Sequence, residues 1–314
     1  MNQNPAVPNA QLSWNRLAER VAQQDWPGGA LYVVATPIGN LGDFSLRAWQ
    51  ALSCCDVIAA EDTRATRTLL DAWGIGTSLM AAHRHNEAAA ADRIVERLAQ
   101  GQRVALVSDA GAPGISDPGA RIVRVVREAG YRVVAIPGAS AVLALLMASG
   151  VTTDENPAYV FAGFAPPKTQ ARLKWLEKWC AGEAPVVMYE APHRLRACLR
   201  DLLAVCGAER SVTIGRELTK RFEEVATIRL ADAEAWLQGD AHREQGEFAL
   251  VVHAPERVKE AGGLDEATLK WLDAALDAMS VRDAVRLVTR ATGLPRDMVY
   301  ETALARSGER KAQD

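Results

Sequence analysis

The chain has 314 residues, of which 49% are hydrophobic and 24% charged, as is usual for a globular protein with a sizeable core. Its net charge of −3 excludes a protein-wide basic field, so any binding of nucleic acid must depend on local patches. The five cysteines are scattered and form no CxxC pair, which indicates a reducing compartment. The N-terminus is polar and no apolar run reaches about 18 residues, so we expect a cytoplasmic protein without signal peptide or membrane span.

After a tail over residues 1–28 with a weak helical pattern, short apolar runs alternate with amphipathic patterns over residues 29–150. The runs predict five strands, at 31–35, 57–60, 79–82, 104–107 and 132–136. The patterns predict helices at 44–52, 65–73, 88–98, 120–129 and 140–148. Apolar strands separated by helices favour a parallel sheet covered on both faces, so we predict an N-terminal α/β domain here.

A polar, proline-containing stretch over residues 150–157 is a candidate hinge, and a second α/β domain is predicted over residues 151–255. Its predicted strands are 159–164, 186–189, 212–215, 226–230 and 248–253, and its predicted helices are 171–179 and 195–205. The third and fourth of these strands are close in sequence, which favours antiparallel pairing and therefore a mixed sheet.

A small all-helical extension is predicted over residues 264–310. Its three helices have a spacing that resembles a helix-turn-helix, with Pro295 near the start of the last one. Residues 265–314 hold eight Lys/Arg and nine Asp/Glu, however, so a packing or dimerisation role is as well supported as nucleic-acid binding.

Polar and glycine-rich segments follow all five predicted strands of the first domain, at 36–43, 61–64, 83–87, 108–119 and 137–140. Since ligands bind at the carboxyl ends of parallel strands, these segments predict a pocket. Neither GxGxxG nor a P-loop is present, and bare backbone at Gly111, Gly114 and Gly138 allows close approach of a ligand. Such a pocket suits a ligand with amino, carboxylate, ribose and adenine groups and no phosphates.

Several polar residues in these segments have two interpretations. Glu61 is placed to bind a ribose or to form a local ion pair, and Asp62 is placed to cap the next helix. His83 and His85 could bind a metal, although a satisfied polar or substrate-contacting role is favoured. Asp117, before Pro118 and Gly119, is interpreted as the N-cap of the helix over 120–129.

The motifs "TPIGNLGDFSLRA", "AAEDTR", "HRHNE", "LVSDAGAPGISDPG", "PGASA", "YEAPHRL" and "GRELTK" together resemble the ribosomal RNA small-subunit methyltransferase I family, within the tetrapyrrole-methylase-like superfamily. The resemblance runs from about residue 30 to 254 and extends to the C-terminal helices. It implies S-adenosylmethionine-dependent 2'-O-methylation of a decoding-centre cytidine in 16S ribosomal RNA of the small subunit. It also implies two α/β domains with the cofactor cleft between them, and usually a homodimer.

The resemblance and the exposed backbone together give the expected cofactor-binding residues. Related methylases carry Gly-Asp-Pro where this chain has Asp109-Ala110-Gly111, which leaves open whether a carboxylate or a carbonyl contacts the cofactor. The expected set is Pro37, Gly39, Ser108, Asp109, Ala110, Gly111, Pro113, Gly138, Ser140, Ala141, Tyr189 and Glu190.

A ribose hydroxyl is a weak nucleophile, so a base or a cation that favours the alkoxide should assist methyl transfer, whereas no metal is required. The segment "GRELTKR" supplies Arg216, Glu217 and Lys220. We expect Lys220 to act as the base through a lowered pKa and Arg216 to hold phosphate; a solvated or phosphate-contacting role for Lys220 stays open. The rival bases are Glu61, Asp109 and Glu190.

RNA contacts are expected in two basic runs, over residues 166–174 and 193–200, each of which could also be an ordinary solvated helix face. The candidate side chains are Lys168, Arg172, Lys174, His193, Arg194, Arg196 and Arg200. Two alternative functions are a methylase of a small tetrapyrrole precursor and a non-catalytic RNA- or nucleotide-binding module on the same fold.

Overall fold

The computed structural model describes residues 10–154, 156–255 and 264–311. The described residues up to Pro255 form one compact unit, and those from Leu264 onward form a second. In the segment expected as a tail, Ala10–Ala22 form helix α1. Trp26 then packs on Tyr32 with ring centroids 5.6 Å apart, and its carbonyl accepts a hydrogen bond from Arg103 Nε at 2.7 Å, so this segment is attached to the first sheet.

The first sheet is parallel throughout, as the apolar runs predict. Its strand order is β3-β2-β4-β1-β5. Its strands are β1 (Ala30–Val34), β2 (Val57–Ala60), β3 (Leu79–Ala81), β4 (Arg103–Val107) and β5 (Arg132–Ile136). The helices that follow them are α2 (Leu46–Cys54), α3 (Thr63–Ala72), α4 (Glu87–Ala99), α5 (Ala120–Glu128) and α6 (Ala141–Ser149). A 3-10 turn over Leu41–Asp43 precedes α2. Strands β2 and β4 are almost wholly buried, which is typical of a sheet covered on both faces.

Side-chain caps fix the starts of two of these helices. Ser45 accepts a hydrogen bond from the Ala48 N–H at the start of α2. Asp62 accepts one from the Arg64 N–H at the start of α3, which confirms the predicted cap. Helix α5 differs from the prediction, because Gly119 occupies its N-cap position and no side chain caps it.

The second sheet is mixed, as predicted, with the strand order β6-β7-β10-β8-β9. Its strands are β6 (Val160–Phe164), β7 (Val186–Glu190), β8 (Ser211–Arg216), β9 (Glu224–Arg229) and β10 (Phe248–Val252). Only β6 and β7 pair in parallel, while β8 pairs antiparallel with both β9 and β10. The helices around this sheet are α7 (Thr169–Cys180), α8 (Leu195–Cys206) and α9 (Ala233–Gln238), with 3-10 turns over Pro192–Arg194, Leu230–Asp232 and Ala241–Glu244.

Helix α6 follows the last strand of the first sheet but packs its buried side on the second sheet. Val142, Leu145 and Leu146 contact a cluster that includes Val187 and Val251 of strands β7 and β10. The helix is apolar on all sides, so one apolar stripe can be buried while others face solvent. Through α6, the carboxyl ends of the first sheet lie against the second sheet.

The second unit has three helices, α10 (Glu266–Ala278), α11 (Val281–Thr292) and α12 (Arg296–Lys311). Its core contains Leu272, Val285, Val288 and Val299, all nearly inaccessible to solvent. The caps Asp265 and Ser280 begin α10 and α11. Within the described ranges, none of the helices has the length and apolarity needed to cross a membrane.

Candidate functional site

A cavity of about 400 Å³ lies between loops of the first sheet and strand ends of the second. On the first side it is lined by Ile38, Ala110, Gly111, Ala112, Ile115, Ser116, Asp117, Ser140 and Ala141. On the second side it is lined by Phe164, Tyr189, Glu190, Ala191, Pro192, Leu218, Glu247, Phe248 and Ala249. It occupies the predicted position at the carboxyl ends of the parallel strands, and its size suits a small-molecule ligand.

The loop after β4 presents fixed main chain to this cavity. Gly111 has φ of +75°, which favours glycine, and exchanges two backbone hydrogen bonds with Thr36 at 2.9 and 3.1 Å. The buried Ser108 hydroxyl lies 3.3 Å from the Ala110 carbonyl oxygen and 3.4 Å from that of Gly111. The loops after β1 and β4 are therefore tied together before any ligand binds.

The cavity brings together part of the expected cofactor-binding set. The members that line it are Ala110, Gly111, Ser140, Ala141, Tyr189 and Glu190. The members that do not line it are Pro37, Gly39, Ser108, Asp109, Pro113 and Gly138. Gly138 is packed against Ala35, the residue after β1, since a Cβ on Gly138 would lie 3.1 Å from Ala35 Cβ, and Pro113 lies against Gly119. Their part in cofactor binding stays a prediction.

The role expected of Asp117 needs a correction. Asp117 is not the N-cap of α5; the N–H of Gly119, the actual N-cap residue, donates instead to Glu87 Oε1 at 2.9 Å, and Asp117 lines the cavity. Asp109 is exposed and does not line the cavity; its Oδ1 accepts the Asp62 N–H at 2.9 Å, and its contact with a cofactor stays a prediction. The prediction failed because residues 112–119 make further turns before the helix begins, so proximity in sequence to α5 did not indicate a cap.

Asp109, Asp117 and Glu61 form a group of carboxylates whose charges interact. Burial, reinforced by the charge of Asp109, raises the pKa of Asp117. Burial followed by the charges of Asp117 and Asp109 raises the pKa of Glu61, while Arg84 opposes this shift. The two aspartates are thus linked electrostatically, and this side of the cavity favours a cationic ligand.

Aromatic side chains form much of the opposite wall. Tyr189 has edge-on contacts with Phe161 and Phe164, with ring centroids 5.1 and 5.4 Å apart. Burial, with a smaller contribution from the charge of Asp117, raises the pKa of Tyr189. Phe164 is 55% exposed although it lines the cavity, so this wall offers an apolar surface to a ligand.

Glu190 is a buried carboxylate with one oxygen satisfied and one not. Its Oε1 accepts the Ala191 N–H at 2.8 Å and forms an ion pair with Arg194 Nε at 2.7 Å. Its Oε2 is buried without a hydrogen-bond partner among the described residues. Because a buried orphan acceptor is costly, this oxygen is a candidate for contact with a donor on a ligand.

Lys220 lies between two carboxylates: its Nζ is 2.9 Å from Glu217 Oε1 and 3.0 Å from Glu247 Oε2. Burial alone would lower the pKa of Lys220, but the hydrogen bonds to these carboxylates outweigh it and the pKa is raised. The expectation of a lowered pKa is therefore wrong, and Lys220 is held as a cation. For Glu217 the directions are opposite. Burial alone would raise its pKa, but the hydrogen bonds from Lys220 and the Glu247 N–H outweigh burial and the pKa is lowered.

Gly39 accommodates the Lys220 side chain rather than lining the cavity. A Cβ on Gly39 would lie 2.5 Å from Lys220 Cγ and 2.6 Å from its Cε. Asn40 Nδ2 also donates to the Thr219 carbonyl at 3.2 Å. The loop after β1 and the loop after β8 therefore meet at Lys220, beside the cavity-lining Glu247.

The arginines expected to hold phosphate are largely engaged within the protein. Arg216 donates to the Gln245 and Phe222 carbonyls at 2.8 and 3.0 Å. Arg172 is only 2% exposed and its Nη2 is 2.6 Å from Asp201 Oδ2, so it is a buried structural residue and not an RNA contact. Arg194 pairs with Glu190, and Arg196 pairs with Glu234 and Glu244. The carboxylates that pair with Arg172 and Arg196 lie 29 to 48 residues away in sequence, so spacing along the chain could not show them.

The two histidines are close together, with ring centroids 6.1 Å apart for His83 and His85. In the part of the chain that the structure describes, no group of three or more His, Cys, Asp or Glu residues is placed to hold a metal ion. Glu87, the nearby carboxylate, is used by the Gly119 N–H.

Several cavity residues were missed by the sequence analysis, notably Ile38, Ser116, Leu218, Glu247 and Phe248. Leu218 lies inside the "GRELTK" motif, so the motif that gave Arg216, Glu217 and Lys220 could also have indicated Leu218. Phe248 begins β10 and Glu247 directly precedes it, so only the antiparallel pairing of that strand brings them to the cavity.

Two family models match the chain. "Tetrapyrrole (Corrin/Porphyrin) Methylases" matches residues 30–234, and "RsmI C-terminal HTH domain" matches residues 262–307. Solved structures with the same fold include a uroporphyrin-III-C-methyltransferase from Thermus thermophilus, with a TM-score of 0.51, 20% identity, and coverage of 72% of this chain and 94% of that one. A diphthine synthase matches with a TM-score of 0.56, 16% identity, and coverage of 72% and 89%.

Curated relatives are similar over nearly their whole length. A "Ribosomal RNA small subunit methyltransferase I" from Neisseria meningitidis serogroup B is 42% identical over 88% of this chain and 94% of that protein. Its namesake from Pseudomonas aeruginosa is 40% identical over 90% of this chain and 99% of that protein. With the two-sheet architecture and the cavity between the sheets, these matches show that the chain belongs to the ribosomal RNA small subunit methyltransferase I family.

Proposed function

We propose that this chain transfers a methyl group from S-adenosylmethionine to the ribose 2'-oxygen of a decoding-centre cytidine in 16S ribosomal RNA, within the small ribosomal subunit in the cytoplasm. Family membership supports the reaction class. The observation that carries the proposal is the cavity. Its backbone wall, aromatic wall and carboxylates together suit a nucleoside that has no phosphates and carries a cationic side chain.

The residues present fit the cofactor. The unpartnered Glu190 Oε2 would accept a hydrogen bond from a hydroxyl or amino group. Phe164, Tyr189 and Leu218 would pack against an adenine ring, and the main chain at Gly111 allows close approach. When bound, the cofactor supplies an electrophilic methyl group on a positively charged sulfur.

The chain's own residues would position the ribose hydroxyl that is methylated and accept its proton. Lys220, held as a cation beside Glu247, would favour the developing negative charge on a ribose oxygen, which replaces its expected role as base. Asp117 is the candidate proton acceptor, since it lines the cavity and a raised pKa makes a carboxylate a better base. Glu190 is less suited to this role, because its Oε1 is already paired with Arg194.

Helix α5 offers further arginines for RNA phosphates, in addition to the exposed Lys168 and Arg200 of the two predicted basic runs. Arg121, Arg124 and Arg127 are exposed, and within the described residues their side chains form no hydrogen bond or ion pair. They span about 9 Å along a helix that begins directly after the cavity loop, a length comparable to successive phosphates. We therefore assign phosphate contact to this helix.

A second copy of the chain would cover the exposed side of α6. Met147 is 85% exposed and Leu143 50% exposed on this apolar helix. Residues 133–153 contain no charged side chain, so the surface lacks the charges that usually keep a face solvated. This supports the proposed homodimer.

The decisive experiment incubates the protein with labelled S-adenosylmethionine and, separately, unmodified 30S subunits, naked 16S RNA and uroporphyrinogen. Label on a ribose of 16S RNA in 30S subunits would support the proposal. Label on uroporphyrinogen would instead favour a methylase of small tetrapyrroles, and binding without label in any substrate would favour a non-catalytic module.

A further inference from the structure

The loop between β8 and β9 is held in a strained backbone conformation. Glu217 has φ of +49° and Thr219 φ of +68°, although neither is glycine and threonine is β-branched. Such conformations persist only where the surroundings fix them, and they concentrate at functional sites. Here the Glu223 carboxylate accepts the Thr219 N–H, and Arg216 Nη1 donates to the Phe222 carbonyl.

This loop adjoins the cavity. Leu218 lines the cavity and is only 7% exposed. Lys220 bonds to Glu247, which lines the same cavity. The next two residues, Arg221 and Phe222, thus directly follow the cation that we place beside the acceptor ribose.

Phe222 presents its ring to solvent. It is 63% exposed, and none of the described hydrophobic clusters includes it. The Arg221 guanidinium lies 5.4 Å from the centre of its ring, and Arg221 has no carboxylate partner in the described ranges. Leaving an aromatic ring exposed to water is costly. A ring on a fixed loop, beside an arginine that attracts anions, suits a ligand that has a flat base and an anionic backbone.

We infer that Arg221 and Phe222 form a stacking surface for the base of the nucleotide that is methylated, or of its immediate neighbour. This inference rests on the proposed function. A base whose ribose enters an enzyme cleft leaves its stack in the RNA, and an aromatic or guanidinium plane replaces the lost stacking. Arg221 would contribute cation–π contact and attract the phosphate, while Phe222 would carry the base.

The test compares three substitutions that separate ring stacking from apolar bulk: Phe222→Ala, Phe222→Leu and Phe222→Trp. Tyr159→Ala serves as a matched control, since Tyr159 is an exposed aromatic at the opposite end of strand β6 from the cavity-lining Phe164. Each variant is measured for kcat/KM on unmodified 30S subunits, for binding to those subunits by sedimentation, and for S-adenosylmethionine affinity by calorimetry.

We expect Phe222→Ala and Phe222→Leu each to lower kcat/KM and subunit binding by about 10- to 100-fold, the range of one base–aromatic stack. Phe222→Trp and Tyr159→Ala should stay close to the unmodified protein, and cofactor affinity should be unchanged in all four. Full activity in Phe222→Leu would overturn the inference, as would a matching loss of cofactor affinity in Phe222→Ala. If the unmodified protein gave no label, the proposed function would fail, and the binding series alone would then decide the inference: equal binding by all variants would refute it.

Discussion

Replacing Lys220 by methionine isolates the charge at the meeting point of the two loops. Methionine retains an apolar, unbranched stem of similar length, so contact with Gly39 should be kept while the ammonium group is lost. Glu217 and Glu247 would then lack their shared cation, and Glu217 would keep only the hydrogen bond from the Glu247 N–H.

The expected cost follows from exposure. The side chains of Lys220 and Glu217 are 23% and 18% exposed, so their hydrogen bond should contribute about 1.5–3 kcal/mol to the free energy of unfolding. The Glu247 side chain is 79% exposed, and its pairing should add at most about 1 kcal/mol. The exposed pair of Lys270 with Glu266 at 2.8 Å gives a control, because Lys270→Met should cost about 0.5 kcal/mol or less.

The effect should depend on pH with a defined sign. Folding lowers the pKa of Glu217 from its usual 4.5, so its contribution is present above that value and is lost as pH falls through the folded pKa. Folding raises the pKa of Lys220 from 10.5, so its contribution is present below that value and is lost as pH rises through the folded pKa. The destabilisation by Lys220→Met should therefore be full at about pH 7 and smaller at about pH 3, because acidification through the folded pKa of Glu217 removes the carboxylate charge.

Urea unfolding of the unmodified protein, Lys220→Met and Lys270→Met at these two pH values measures the difference directly. Equal destabilisation by Lys220→Met at both pH values would refute the ion-pair account, since a lost stem contact does not titrate. A loss no larger than that of Lys270→Met at neutral pH would show that the pair is solvated in solution.

Three further predictions concern the proposed function. Asp117→Asn should lower kcat about 100-fold if this carboxylate accepts the proton. Because folding raises the pKa of Asp117 above 3.8, the ionised carboxylate destabilises the folded protein. The variant should therefore unfold at a higher temperature than the natural protein at neutral pH, with no gain below pH about 3. The double substitution of Arg121 and Arg124 by glutamine should weaken subunit binding and reduce the slope of log affinity against log salt by about 1–2, while an unchanged slope would remove α5 from the RNA interface. Met147→Lys should shift the protein from dimer to monomer in light scattering with the fold intact by circular dichroism; a stable dimer would exclude the α6 face.

The secondary structure and the type of each sheet could be predicted because they depend on local patterns. The buried strand over Val57–Ala60 and the amphipathic helix over Glu87–Ala99 carry strong periodicities. The antiparallel pairing of β8 and β9 followed from the short connection between them. The position of the cavity followed from the general rule for parallel strands, which needs no knowledge of individual contacts.

The roles of single charged side chains could not be predicted, because their partners are far away in sequence. Arg172 is buried against Asp201. Lys220 is paired with Glu247, which directly precedes strand β10. Asp117 was misassigned because the turns between Pro113 and the start of α5 leave its carboxylate at the cavity. In each case burial and pairing, which decide the pKa and the accessibility of the charge, are properties of the tertiary structure.

The packing of α6 on the second sheet has a consequence for how the cleft can move. Helix α6 follows β5 in sequence but packs on the second sheet. The segment that connects the two packed parts is therefore residues 137–140, which precedes the predicted hinge at 150–157. Ser140, at the end of that segment, and Ala141, the first residue of α6, also line the cavity. A ligand in the cavity would thus contact the connection between the two sheets itself, so its binding energy would act directly on the segment that sets their relative orientation.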